Sequence, residues 1–141
     1  MQRRIIGTLG IASLLLTGSV AIAGYKSTEE VAVAVGSGGT YKYAAGQVGT
    51  ARGTADSNQY IRCSLEMGTS SKTIRCRAAD VTLTNFLECT TGNNDMALAV
   101  ASIGSNSRVR FTVGKNADGS WSGTCSSIHI HNGSQYQPIT P

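Results

Sequence analysis

The sequence predicts a mainly β domain: a small antiparallel barrel of five to six strands with one short helix and two disulfides. Three observations carry this expectation. Cys63, Cys76 and Cys89 stand at equal intervals of thirteen residues. Around them, apolar and polar residues alternate. In Tyr60–Met67, Ile61, Cys63, Leu65 and Met67 share one side, and Tyr60, Arg62, Ser64 and Glu66 the other. Gly, Ser, Thr and Ala are abundant, Leu is scarce and Pro occurs twice, a composition suited to short strands and tight turns.

The N-terminus decides how the cysteines are read. Met1-Gln2-Arg3-Arg4 is a short basic segment, Ile5–Leu16 is apolar, and Ala21-Ile22-Ala23 is a small-x-small pattern. Together they predict a cleaved secretory signal peptide over 1–23. The apolar run falls short of the ~20 residues a membrane span needs, and no later stretch is apolar enough for stable membrane insertion. The mature chain is therefore expected to be secreted or periplasmic. The lack of a eukaryotic targeting feature fits a bacterial source. Exported chains with an even number of cysteines oxidise them, and each bridge contributes about 2–4 kcal/mol by constraining the unfolded chain.

Removing Arg3 and Arg4 leaves ten basic against eight acidic residues, a net charge of +2 where the full chain has +4. So weak an excess argues against nucleic acid as a partner. The remaining length suits one domain with a modest core. It divides into an N-terminal strand and Gly-rich linker (24–40), a disulfide-stapled β-barrel domain (41–132) and a polar tail (133–141).

Taken in order, Glu30–Val35 alternates valine with alanine and reads as a peripheral strand, broken by Gly36-Ser37-Gly38-Gly39. Thr40–Thr54 reads as a strand of looser pattern around Tyr41, Tyr43 and Val48. Tyr60–Met67, Thr73–Val81 and Thr84–Thr91 form a meander with turns near Gly68–Ser71 and Thr82–Leu83. The period then changes. Asn93-Asn94-Asp95 offers N-cap side chains, and Met96, Val100 and Ile103 recur at helical spacing before Gly104, predicting a helix over about 93–103. Arg108–Val113 returns to alternation, with Arg108, Arg110 and Thr112 outside. Asn116-Ala117-Asp118-Gly119 is a hairpin loop, and a last strand runs from Trp121 to about His131.

Opposition across the first hairpin sets Cys63 against Cys76 and Ile61 against Ala78. Across the second it sets Cys76 against Cys89 and Ala78 against Leu87. Cys76 therefore has two candidate partners. Cys125 lies out of phase with Ile128 and Ile130, so either it points outward or a bulge at Ser126-Ser127 resets the alternation. The bulge is the favoured reading, and it would turn His129 and His131 to solvent.

Meander, helix, hairpin is an element order that resembles the oligonucleotide/oligosaccharide-binding (OB) fold, a small five-stranded barrel. The resemblance covers about Thr40–Asn132 and is one of topology, without a residue motif. In that topology the third and fifth strands are neighbours, which favours Cys63–Cys76 with Cys89–Cys125 over Cys76–Cys89 with Cys63–Cys125. The block Gly123-Thr124-Cys125-Ser126-Ser127-Ile128-His129-Ile130-His131-Asn132-Gly133-Ser134-Gln135-Tyr136-Gln137-Pro138 also resembles the C-terminal end of small exported bacterial proteins of unassigned function. That likeness implies no activity.

The outer face of the meander gathers the candidate binding residues Tyr60, Arg62, Arg75, Arg77 and Phe86, with Glu88 beside them. In the fold resembled, this exterior face commonly binds ligands. Aromatic rings stack on sugars, and guanidinium groups fork onto carboxylate, sulfate or phosphate. Against this, Arg77 faces Glu88, and Arg75 lies diagonal to Glu66, so ordinary cross-strand pairs could neutralise the charge. His129-x-His131 has a spacing that can contribute to a zinc or copper site, but it needs a third ligand and reads more simply as two exposed histidines.

No cofactor motif and no catalytic motif emerges. Gly119-Ser120-Trp121-Ser122-Gly123 resembles a nucleophile elbow, yet its central residue is tryptophan and it opens a hairpin strand. The expectation is a secreted, non-catalytic binding module for a glycan, an anionic ligand or a partner protein. The alternative is a structural, self-associating extracellular protein that pairs through its valine-rich N-terminal strand or a sheet edge.

Overall fold

A computed structural model describes residues 29–133. The predicted leader over 1–23 and the tail beyond residue 133 lie outside the described residues. Seven strands and two helices follow in the order β1 (Ala32–Val35), β2 (Tyr41–Gln47), α1 (Val48–Gly53), β3 (Tyr60–Met67), β4 (Lys72–Ala79), β5 (Phe86–Thr91), α2 (Asn94–Ala101), β6 (Ser107–Lys115) and β7 (Trp121–Asn132), with a 3₁₀ turn at Ser37–Gly39. One sheet contains all seven strands, ordered β1-β2-β6-β7-β5-β4-β3.

The expected five- to six-stranded barrel is corrected to this open seven-stranded sheet. A closed barrel would return β3 to β6, but β2 occupies that side of β6 over its whole length, from Tyr41↔Gly114 to Gln47↔Arg108. β1 then pairs with β2 from Ala32↔Ala45 to Val35↔Lys42. β1 and β3 are left as the two sheet edges. The sheet still folds over one core, because Val33 and Ala44 from one end share it with Ile61 and Ile74 from the other. Lys42 on β2 reaches across to donate to the Phe86 carbonyl on β5 at 3.2 Å. The N-terminal strand is thus part of the core sheet: Val31 and Val33 are buried.

Within the meander the registers are those that the cysteine spacing implies: Cys63↔Cys76 and Ile61↔Ala78 between β3 and β4, Cys76↔Cys89 and Ala78↔Leu87 between β4 and β5. The disulfides are Cys63–Cys76 and Cys89–Cys125, with Cα atoms 4.0 and 5.0 Å apart. β5 and β7 run parallel and share the bridged pair Thr90↔Thr124. The Cys89–Cys125 bond spans this seam.

Between β6 and β7 the register runs from Ser107↔Asn132 to Thr112↔Ser127 and then shifts to Val113↔Cys125. Ser126 is the extra residue, a bulge that lets Cys125 (3% exposed) and Ile128 (9%) both face the core. His129 and His131 are exposed.

Two local expectations change. The second half of Thr40–Thr54 is helix, not strand. Val48 and Ala51 pack against the core, Gly49 is buried, and the Gln47 side chain accepts from Thr50 Oγ1 at 3.0 Å. Tertiary burial outweighs the low helix propensity of two glycines. In α2, Asn93 Oδ1 accepts from the Asp95 and Met96 N–H groups at 2.9 and 3.0 Å, and Ala97 and Val100 are buried. The helix stops at Ala101, before Gly104, because Ser102 and Ile103 donate to Ala99 and Val100 in a tightened last turn. Among the described residues no helix is long and apolar enough to cross a membrane.

Candidate anion-binding face

The registers arrange the outer side of β3, β4 and β5 in rows. The first row is Tyr60, Ala79, Phe86; the second is Arg62, Arg77, Glu88; the third is Ser64, Arg75, Thr90. Strand pleating puts all of these on one side of the sheet and Ile61, Cys76, Ala78, Leu87 and Cys89 on the other. All five candidate residues therefore share one face.

Within it, Arg62, Ser64, Glu66, Arg75 and Arg77 line a shallow groove of about 240 Å³. Tyr60 and Phe86 do not line this groove. Tyr60 borders a separate hollow of about 180 Å³ with Val48, Ala51, Arg52 and Ile61, against α1. It still touches the cationic cluster, since the Arg62 guanidinium lies 5.8 Å from its ring centroid. Phe86 stands exposed at the start of β5. Ser64 and Glu66 were legible as outward residues but carry no chemical signature that marks a groove wall.

Arg62 and Arg77 are direct cross-strand partners, so two like charges face each other. The balancing charge is Glu88. Arg77 Nη2 donates to Glu88 Oε1 at 3.2 Å. Arg77 Nε lies 2.8 Å from Oε2 but off the hydrogen-bonding direction, so Nη2 carries the bond. Arg75 turns to the same carboxylate, with Nε 3.8 Å from Oε1, and not to Glu66. Arg62 makes no ion pair among the described residues. The side chains of Arg75, Arg77 and Glu88 are 40%, 33% and 31% exposed, so water screens these pairs and each contributes little to stability. Three guanidinium groups thus surround a groove held by one shared carboxylate, with Glu66 at its end.

The acids whose titration is displaced all lie elsewhere, in loops. Asp56 is lowered to about 2, chiefly by the Gln59 backbone N–H and then by the Gln59 side chain. Asp80 is lowered by the Asn85 side chain, and Asp118 by the Ser120 hydroxyl. Ser120, of the elbow-like segment, donates to Asp118 at 2.6 Å and so closes its own hairpin loop.

His129 and His131 lie opposite Arg110 and Arg108, a cationic setting poorly suited to a metal ion. Among the described residues no group of three His, Cys, Asp or Glu side chains could hold one.

No family model, no curated protein and no solved structure matches the chain.

Proposed function

We propose that the protein is a non-catalytic binding module for an anionic glycan, held on the outer face of β3, β4 and β5. The observation that carries this reading is the direct opposition of Arg62 and Arg77, with Arg75 in the next row and Glu88 shared between two of the three. Like charges opposed across strands are destabilising, and a bound sulfate or carboxylate offsets that cost while accepting forked hydrogen bonds. Tyr60, against Arg62, supplies an aromatic surface at one end. The resemblance to the OB fold supports the choice of face, since such folds commonly bind along their second and third strands. The two disulfides support an oxidising, extracellular or periplasmic setting.

The test is a glycan and polyanion array probed with the oxidised protein, followed by titration with heparin-type oligosaccharides. Binding that weakens on Arg62→Gln and Arg77→Gln supports the reading. Unchanged binding in both variants, or no binding to any anionic probe, overturns it.

A second reading is self-association by strand addition. It is favoured by β1 and β3 standing at the sheet edges and by the exposed Val35 at the end of β1. Because β1 belongs to its own sheet, such assembly would add a strand beside it and not donate it. Concentration-dependent assembly, lost on Val35→Lys, would support this alternative.

A further inference from the structure

On the outer side of the other half of the sheet, β1, β2, β6 and β7 also align in rows. One row is Ala32, Ala45, Arg110, His129; the next is Ala34, Tyr43, Thr112, Ser127. Alanines flank the large residues on one side, so Tyr43 and Arg110 stand above a low floor. The Arg110 guanidinium carbon lies 4.7 Å from the Tyr43 ring centroid, a distance at which a cation is held over an aromatic face.

Arg110 differs from its neighbour on the same strand face. Arg108 is forked onto Glu29, with Nη2 to Oε1 at 2.7 Å and Nε on Oε2. Arg110 has no carboxylate partner among the described residues, and its Nε is shielded from water without a hydrogen-bond acceptor. With Nε shielded, the two Nη groups are the donors that a planar oxyanion arriving from solvent would meet.

Two further features surround it. Tyr41 and Tyr43 lie with ring centroids 6.2 Å apart. The Tyr41 ring is seated against the backbone of Gly36, where an added Cβ would fall 2.0 Å from the ring, so the ring is held by its support. On the other side, the Ser126 bulge brings two successive serines to Thr112, with both hydroxyls 2.7 Å from Thr112 Oγ1.

We propose that this face is a second ligand site, for a carboxylate-bearing saccharide. Arg110 takes the carboxylate, Tyr41 stacks on the sugar ring, and the Thr112–Ser126–Ser127 hydroxyls exchange bonds with sugar hydroxyls. The site is independent of the Arg62–Arg77 face, being built from different strands.

The experiment is an NMR titration of the oxidised protein with tri-galacturonate, with the neutral trisaccharide of galactose as control. Shifts in the amides of β2, β6 and β7 are expected with the uronate. Arg110→Gln should weaken binding about tenfold or more, as expected for loss of a charge-assisted pair. Tyr41→Ala should also weaken the uronate, and Arg62→Gln/Arg77→Gln should leave the uronate shifts in place. Should Arg110→Gln fail to fold, Arg110→Lys, which keeps the charge but loses the fork, is expected to weaken binding severalfold. Absence of shifts in these amides, or unchanged affinity in a folded Arg110 variant, would overturn the proposal.

Discussion

Gln59 holds the first strand to the body of the protein: its Oε1 accepts the Val31 backbone N–H at 2.9 Å, across twenty-eight residues of sequence. Both residues are buried, so no water replaces the bond. Gln59→Leu, which keeps the bulk and removes the acceptor, should cost about 1–3 kcal/mol. Hydrogen exchange should show the β1 amides opening before those of β6. Unchanged protection in β1 would show that the pairing with β2 and the packing of Val31 and Val33 hold the strand without Gln59.

The same glutamine links Val31 to a titrating group. Its Nε2 donates to Asp56 Oδ2 at 2.7 Å and its N–H to Oδ1 at 2.8 Å, and these bonds lower the Asp56 pKa to about 2. A carboxyl depressed in the folded state stabilises above its unfolded value, and that contribution is lost as pH falls through the folded value. Native protein should therefore exceed Asp56→Asn in urea midpoint by a constant margin above about pH 5 that shrinks as pH falls through about 2 and is nearly gone by about pH 1. A margin at about pH 2 as large as that at about pH 6 would contradict the assignment.

The two disulfides should not be equal. Cys63–Cys76 closes a separation of 13 residues and Cys89–Cys125 one of 36, so loop entropy assigns them about 3 and about 4 kcal/mol. The second also crosses a seam of one bridged pair, where the first reinforces a complete hairpin ladder. Cys89→Ala/Cys125→Ala should accordingly lower the melting temperature more than Cys63→Ala/Cys76→Ala, as calorimetry would show.

Glu88→Gln separates charge balance from folding. Its exposed ion pairs contribute at most about 1 kcal/mol, so thermal stability should barely move. Releasing Arg75 and Arg77 should raise affinity for heparin-type oligosaccharides roughly threefold or more. A fall in affinity would mean that Glu88 orients the arginines for the ligand.

Deleting Ser126 removes the bulge residue and leaves Cys125 and Ile128 two positions apart, on the same side of a regular strand. The Cys89–Cys125 bond and the Ile128 burial should therefore both survive the deletion. Thiol mapping should find no free Cys125; a free thiol there would contradict the assignment of Ser126 as the extra residue.

The meander was legible because two signals agreed: alternation chose a face, and the thirteen-residue interval placed Cys63, Cys76 and Cys89 in register. The bulge was legible for the same reason, since Cys125 and Ile128 could not otherwise both be inside. Val48–Gly53 was not legible as a helix, because Gly49 and Gly53 disfavour one and burial against the core supplies the stabilisation. The open sheet was hidden too: nothing in Tyr41–Gln47 states that it, and not β3, pairs with β6. For that reason the five meander candidates could be grouped on one face from sequence, whereas Tyr43 and Arg110, sixty-seven positions apart, could not be brought together.

At Thr90 and Thr124 the two halves of the sheet meet through a single bridged pair. With Cys89–Cys125 intact, the half formed by β3, β4 and β5 and the half formed by β1, β2, β6 and β7 keep a set angle. Reduction leaves the Thr90–Thr124 pairing, the Lys42–Phe86 and Val31–Gln59 hydrogen bonds and the shared core to hold them. Each half carries one of the two cationic surfaces, so a long polysaccharide that touched both would read the spacing between them. Its grip would then report the thiol–disulfide state of the surroundings, although no cysteine touches it.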